Sequence, residues 1–311
     1  MRYGDHSSPF PACLRRGSLL NPQQSSSRLT VLVPCKDERL NIRPCIESFQ
    51  ELADEILIAD SGSTDGTLEI VEEMGGCRVI EREYRTSGDF KNWAIPQATH
   101  EWVLLVDADE RVTPEMTAEI RELLSSPQHD GYWIYRDNHY MGHRIYHNGW
   151  NRDKVLRLFR RDISRYVGPS DHGEVHVETN NVGKLKNRFL HFTYWDYDQL
   201  FRKFDRYTSL QAQQWYEAGK PPSYLKMLSN PILRFLKSYV LQRGFLDGAA
   251  GLQISMIAGF YSFTKQARLW ALHHGLQQPD PEAEWSAPPA KLSAETESNA
   301  IESPTPPSRA A

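Results

Sequence analysis

The chain has 311 residues, 40% hydrophobic and 24% charged, enough to bury one large core and carry an appendage. A formal net charge of −4 gives no basic footprint for nucleic acid, and none is expected as a partner. The four cysteines, Cys13, Cys35, Cys45 and Cys77, lack paired metal-ligand spacing, and no secretory apolar run precedes Leu29, so a reducing cytoplasm is the expected setting.

Residues 1–27, rich in Ser, Pro and Arg, read as a disordered leader. Leu29–Pro34 is a short apolar strand, and Lys36, Asp37 and Glu38 follow it. Ile42, Ile46, Phe49 and Ala53 recur at helical spacing, with Asn41 placed to cap and Pro44 tolerated in the first turn. Glu55–Asp60 is a second strand that stops at Asp60 and the turn-forming Ser61-Gly-Ser-Thr-Asp-Gly-Thr67. Leu68, Val71 and Met74 mark another helix, which Gly75-Gly76 ends. Arg78–Glu81 is a weaker strand, and Phe90, Trp93, Ala94 and Ala98 line a third helix. Trp102–Val106 then reads as a buried strand ending on Asp107-Ala-Asp109-Glu110.

Strand and helix alternate here, and the strands are continuously apolar, which predicts a parallel, doubly wound sheet. The polar residues of interest all fall at strand ends on one rim, where such sheets bind ligands. Two Asp one residue apart suit a hard divalent cation shared with substrate phosphates; a polar turn capping a core strand is the plain alternative.

Val155–Arg161 reads as a further strand, with Arg157 and Arg160 available to phosphate or acceptor groups, and Trp150 before it could stack on a sugar ring or fill core. If Asp171–Glu178 is extended, Glu174, His176 and Glu178 share one face while Val175 and Val177 pack inward. His139, His143 and His147 are interrupted by Gly142 and read as loop and strand residues, not as a metal site. Scattered histidines, His172 among them, suit contact with hydroxyl-rich substrates. From Tyr194 to Leu272, aromatic and aliphatic residues recur at helical spacing, interleaved with Arg202, Lys203, Arg206, Arg234, Lys237 and Arg243. Asp247 and Gln253 interrupt the most apolar stretch, which argues against a membrane span. An amphipathic arm lying in a membrane interface and an ordinary helical extension both fit. The divisions expected are a catalytic domain over 28–193, this helical extension over 194–276, and a disordered tail over 277–311, where Pro, Ala, Ser and Glu dominate.

Taken in order, Pro34-Cys-Lys-Asp-Glu38, Ala59-Asp60-Ser-Gly-Ser-Thr-Asp65-Gly-Thr67, Lys91-Asn92 and Asp107-Ala-Asp109-Glu110 resemble the successive motifs of family-2 glycosyltransferases with the GT-A fold. No Gly-x-Gly-x-x-Gly or Gly-x-x-x-x-Gly-Lys-Ser/Thr follows a strand, which argues against dinucleotide and P-loop sites. The resemblance implies an α/β, Rossmann-like, mostly parallel sheet flanked by helices, and an inverting, metal-dependent sugar transfer from a nucleotide-diphospho-sugar, expected to be a UDP-sugar. By the same resemblance Asp60, Pro34 and Glu38 would line the nucleoside pocket. Lys91, where the family often has Arg, would sit near the diphosphate, and Asp107 would touch the ribose. Asp109 would hold Mg²⁺ or Mn²⁺. Glu174 is the expected base, with Asp171 as the fallback, and Trp150, Arg157, Arg160 and His172 would meet the acceptor.

Gly244-Phe-Leu-Asp-Gly248 and Arg157-Leu-Phe-Arg160 are similar to the subgroup of glucosyltransferases that act on the lipopolysaccharide inner core. That similarity implies a glycan or glycolipid acceptor and a peripheral place on the cytoplasmic face of the inner membrane. A non-catalytic nucleotide-sugar-binding protein and a nucleotidyltransferase are the competing classes. Detection of pyrophosphate release would favour the latter.

Overall fold

The structure, a computed structural model, describes residues 27–168 and 173–275. The tail expected over 277–311, and all of the expected leader except Ser27, lie outside the described residues, as do Asp171 and His172. In chain order the first half runs β1 (Leu29–Cys35), α1 (Ile42–Phe49), β2 (Glu55–Asp60), α2 (Thr67–Met74), β3 (Cys77–Glu81), α3 (Ser87–Ala94), β4 (Trp102–Leu105), β5 (Glu110–Arg111) and α4 (Pro114–Ser125). The second half runs β6 (Gly131–Tyr140), β7 (His143–Arg144), β8 (Lys154–Arg160), β9 (Ser164–Val167), β10 (Glu174–Val177), β11 (Val182–Tyr194), α5 (Tyr197–Glu217), α6 (Tyr224–Leu236) and α7 (Gly248–His273).

One sheet organises the part of the chain from β1 to β11, in the order β3-β2-β1-β4-β8-β6-β11-β5, with β7 beside β6. β1 pairs parallel with both β2 and β4, β2 with β3, and β6 with β11. β8 runs antiparallel between β4 and β6. Side chains alternate across the sheet with the period of two. Val31, Val33, Ile58 and Leu104 thus pack with Ile46 and Phe49 of α1 and Met116 and Ile120 of α4. Leu32, Leu57, Val103 and Leu105 turn to the other face, against Phe90 and Ala94 of α3 and against Val175 and Val177 of β10.

Local chemistry marks most helix starts. Thr86, Thr113, Asp196 and Ser223 accept hydrogen bonds from the backbone N–H three residues on, at the starts of α3, α4, α5 and α6. Asn41 departs from the expectation: it has helical dihedrals and makes no cap bond. Its amide is spent elsewhere, donating to Glu38 at 2.8 Å and accepting from Trp195 Nε1 at 2.9 Å and Arg111 at 3.2 Å. The expected helix residue Ala53 lies beyond the end of α1, and Ala98 beyond the end of α3.

The C-terminal helices are fastened to the sheet at one hub. Asn148 Oδ1 accepts from Ser238 Oγ at 2.8 Å and Ser255 Oγ at 2.9 Å. Asp247 accepts from His147 N and Tyr146 N at 2.9 and 3.1 Å. Backbone passes so close here that a Cβ on Gly251 would stand 1.9 Å from the Gly244 carbonyl oxygen. The same close approach requires glycine at Gly244, where a Cβ would stand 2.1 Å from Asn148 Oδ1. No helix among the described residues is long and apolar enough to cross a membrane.

Candidate active site

The carboxyl ends of β1, β2 and β4 open onto one crevice, and its floor is set by two loops laced together. Asp37, at φ 53°, accepts from Thr64 N at 2.8 Å, and its own N–H donates to Ser63 Oγ at 2.9 Å. Arg39 N donates to Asp65 at 3.0 Å and Glu38 N to Thr67 Oγ1 at 2.9 Å. Asp60 is fully buried beneath this lacing. One of its oxygens accepts from Gly62 N and Ser63 N at 2.7 and 2.8 Å, the other from Ser63 Oγ at 2.5 Å. The structure therefore places Asp60 as the residue that closes the turn, with Pro34 on the adjacent strand paired to Ala59.

β4 ends in a tight turn in which Asp107 N donates to Glu110 Oε2 at 2.9 Å and Glu110 N returns a bond to the Asp107 carbonyl at 2.8 Å. Three cations converge on the Asp107 carboxylate: Lys91 of α3 at 3.5 Å, Arg136 of β6 at 3.1 Å, and Arg157 of β8. Burial alone would raise the Asp107 carboxyl, but Arg157, Lys91 and Arg136 outweigh it and hold it far below the ordinary range. Arg136 also pairs with the fully buried Glu110 at 2.6 Å and with Asp153 at 3.5 Å. Burial pushes the Lys91 ammonium down despite Asp107, and the Nζ lies 5.0 Å from the Tyr166 ring centroid. Arg157 Nε is buried with no acceptor among the described residues, an orphan donor in a cationic crevice.

Asp109 faces the other way, toward β11 and α5. His191 Nε2 stands 3.6 Å from its Oδ1 and Lys203 Nζ 3.4 Å from its Oδ2. Burial works against the Asp109 charge, and His191 and Lys203 more than offset it, so the carboxyl is held well below its usual value. Burial likewise opposes the Lys203 charge, yet Asp109 and Glu38 hold its pKa above the ordinary lysine value. Glu38 behaves differently: burial and then the neighbouring Asp109 push its carboxyl up to about 7. Beyond burial, that rise in Glu38 is a like-charge repulsion from Asp109 and, more weakly, Asp107, which a divalent cation would relieve.

Glu174 and His176 lie on the exposed face of β10 while Val175 and Val177 are buried, and Glu178 falls in the turn beyond the strand. Partial burial raises the Glu174 carboxyl, with Lys154 and Arg157 acting against the shift. Trp150 borders two adjoining cavities. One, of about 340 Å³, is lined by Asn138, Asp153, His191 and Thr193. The other, of about 180 Å³, lies among Tyr140, Tyr194, Tyr261 and Ile257.

Of the residues expected at the site, Pro34, Glu38, Asp60, Lys91, Asp107 and Asp109 gather at the crevice, and Arg157 joins them as a partner of Asp107. Arg160 does not. The β6–β8 register shifts at Arg157, so alternation does not carry its placement over to Arg160, which pairs with Trp102 at the far end of the strand. There it stacks on Trp102 and pairs with Asp130 and Glu101 at the start of β4, the wrong end for the site. Asp171 and His172 lie outside the described residues. Sequence reasoning missed Arg136, His191 and Lys203. Arg136 is a charged residue inside a strand of aromatics, and His191 interrupts Phe189-Leu-His-Phe192; both are signals that could have been taken. Lys203, read only as one of the basic residues interleaved along the helical extension, turns inward onto Asp109 and the Thr193 carbonyl.

Paired Asp residues at the end of a buried strand, ringed by cations where parallel strands end, place this chain among α/β proteins with a ligand-binding rim. Residues 30–179 match the family described as Glycosyl transferase family 2. The chain is 30% identical over 251 residues to the lipopolysaccharide core biosynthesis glycosyltransferase LpsC of Rhizobium meliloti (strain 1021), across 79% of this chain and 93% of that one. An uncharacterized glycosyltransferase of Rickettsia bellii (strain RML369-C) is 26% identical over 259 residues, covering 78% and 86%. The chain belongs to glycosyltransferase family 2. Among solved structures, S. aureus TarS 1-349 in complex with UDP-GlcNAc aligns at a TM-score of 0.42 and 16% identity, over 81% of this chain and 93% of that one. Glucosyl-3-phosphoglycerate synthase from Mycobacterium tuberculosis, in complex with Mn²⁺, UDP and glucosyl-3-phosphoglycerate, aligns at 0.44 and 17%, over 64% and 83%.

Proposed function

We propose that this glycosyltransferase moves a sugar, with inversion, from a nucleotide-diphospho-sugar of the UDP class to a hydroxyl of a lipopolysaccharide-core or related cell-envelope glycan. The observation that carries the reaction is the Asp107–Asp109 rim braced by Lys91, Arg136, Arg157 and Lys203. The similarity to LpsC supports the acceptor class.

In this reading the Asp37–Thr67 loops, held from beneath by Asp60, receive the base, with Pro34 and Glu38 along the same wall. Asp107, fixed by three cations, offers an acceptor to the ribose. Lys91, Arg136 and Arg157 neutralise the diphosphate, and the orphan Nε of Arg157 gains an oxygen to bond. Asp109 would hold Mg²⁺ or Mn²⁺ through an oxygen, and the His191 nitrogen beside it would suit Mn²⁺ better than Mg²⁺. His191 Nδ1 is engaged by Asn138 Oδ1 at 2.5 Å, which directs Nε2 to Asp109. Among the described residues no three His, Cys, Asp or Glu side chains form a group that could hold a metal ion, so substrate phosphates and water would have to complete the coordination. When bound, the ion would stabilise charge on the departing nucleoside diphosphate as a Lewis acid.

The acceptor sugar lies in the cavities beside Trp150. Its hydroxyl oxygen forms a bond to the anomeric carbon as the bond from that carbon to the diphosphate breaks, and Glu174 takes the proton. The test is nucleoside-diphosphate release from a panel of nucleotide sugars, with Mn²⁺, Mg²⁺ or chelator, and with or without a deacylated lipopolysaccharide-core acceptor. One donor should turn over, with metal and with stimulation by the acceptor, and Asp109→Ala should abolish turnover while leaving the fold intact. Pyrophosphate release would favour a nucleotidyltransferase. Donor binding without turnover under every condition would favour a binding protein.

A further inference from the structure

The outward face of α6 and α7 takes no part in the chemistry above. Between the two helices runs a cleft of about 880 Å³ whose walls are almost wholly apolar, including Leu228, Ile232, Phe235, Met256 and Phe260. The cleft is narrow at its base because Gly259 lets α7 approach α6, where a Cβ would sit 3.0 Å from the Pro231 carbonyl oxygen. Leu228 is 71% exposed, Leu225 76%, Met256 58% and Phe260 53%. A contiguous apolar face of this kind marks an interaction surface, since single exposed hydrophobes are common but a connected stripe is not.

Charge decides what covers it. The chain as a whole is acidic, yet residues 219–275 carry Lys220, Lys226, Arg234, Lys237, Arg243, Lys265 and Arg268 against one carboxylate of their own, Asp247, although Arg268 is already paired with Asp205 of α5. Asp247 is already bound to His147 and to backbone N–H groups of the hub. Lys226, Lys237 and Arg243 are exposed on the segment that carries the apolar stripe, while Arg234 turns to the cavity that Trp150 borders. A second copy of the chain docked on this face would set cation against cation. An anionic lipid surface supplies both the hydrocarbon for the cleft and the counter-charge for the exposed basic residues of the same segment.

We propose that the α6–α7 face seats on an anionic lipid bilayer, with lipid hydrocarbon entering the cleft. The opposite side of α7 lends Ile254, Ile257 and Tyr261 to the cavity that Trp150 borders. Docking in this way sets the acceptor cavity one helix thickness from the lipid, within reach of a sugar carried on a lipid anchor.

The experiment is co-sedimentation of the full chain with vesicles of phosphatidylcholine alone or mixed with phosphatidylglycerol. Binding to the mixed vesicles is expected, falling at high salt, with little on phosphatidylcholine. The Leu228→Glu/Ile232→Glu/Met256→Glu variant should bind at least tenfold more weakly. Lys226→Gln/Lys237→Gln, which leaves every apolar contact intact, should also weaken binding and so guards against a folding defect in the first variant. Asp109→Ala should bind vesicles as the parent does, which separates this result from the fate of the proposed reaction. No sedimentation with either composition, equal sedimentation of parent and both variants, or a dimer that the glutamate substitutions dissolve would overturn the proposal.

Discussion

Glu174 and Asp109 are carboxylates with opposite electrostatic surroundings, and that difference separates their roles. Asp109 is held ionised by His191 and Lys203, the state a cation ligand needs. Glu174 has no such partner; burial raises it against the weaker pull of Lys154 and Arg157, the direction that suits a group which must accept a proton. If it is the base, only the ionised form works, so kcat/KM should fall as pH drops through a value above the roughly 4.3 of a free glutamate. Glu174→Gln should lower turnover by about 10²–10⁴-fold and remove that acid limb while leaving donor affinity unchanged. A pH–rate profile of the variant that keeps the acid limb would move the base elsewhere. The exposed face of β10 and the Asp-x-Asp at the end of β4 were legible in the sequence because both are local patterns, whereas the roles proposed for Glu174 and Asp109 came from the family resemblance. His191 and Lys203 were not legible, since their meaning lies in meeting Asp109 from remote elements.

At the level of elements, the parallel strands were readable because burial on both faces leaves long apolar runs with polar residues only at the ends. What escaped is how their amino ends are tied. Glu55, the first residue of β2, accepts from Thr30 of β1 at 2.6 Å, from Arg78 of β3 at 2.8 and 2.9 Å, and from Thr99 N and Oγ1 at 2.7 Å. One carboxylate thus clamps three strands and the approach to β4. Partial burial would raise it, but the bonds from Thr30, Thr99 and Arg78 prevail and lower it to about 2. A depressed carboxylate contributes stability that is complete above its unfolded value of about 4.3 and is lost as pH falls through the folded one. Urea midpoints measured between about pH 5 and pH 2 should therefore fall more steeply for the parent than for Glu55→Gln. Parallel curves would show that the clamp carries no charge-dependent stability. Arg160 shows the reverse difficulty: the β8 strand was read correctly, but which end of it reached the site depended on pairing with β4 that periodicity does not reveal.

For the whole molecule, the helices that looked like an appendage complete both the core and the site. Leu200 of α5 and Ile254 of α7 bury Tyr140 and Ile145 of the sheet domain. Trp195, just before α5, bonds Asn41 behind the first strand, and Lys203 of α5 reaches Asp109. Each fully buried aliphatic side chain is worth about 1.5–3 kcal/mol, and total stability is about 5–15 kcal/mol, so uncovering this cluster removes a large share of the margin. It also takes away the cation opposite Asp109, leaving Glu38 and Asp109 to repel each other without Lys203. A chain ending at Thr193 should accordingly melt well below the parent, or aggregate, and release no nucleoside diphosphate. Lys203→Met in the full chain separates the two causes. Its cluster of apolar contacts is intact, so its melting point should stay near the parent value while turnover falls. If the shortened chain keeps a substantial part of the parent rate, the helical extension is a passenger and Lys203 a bystander. If Lys203→Met alone turns over normally, the extension acts through packing and not through the charge it places beside Asp109.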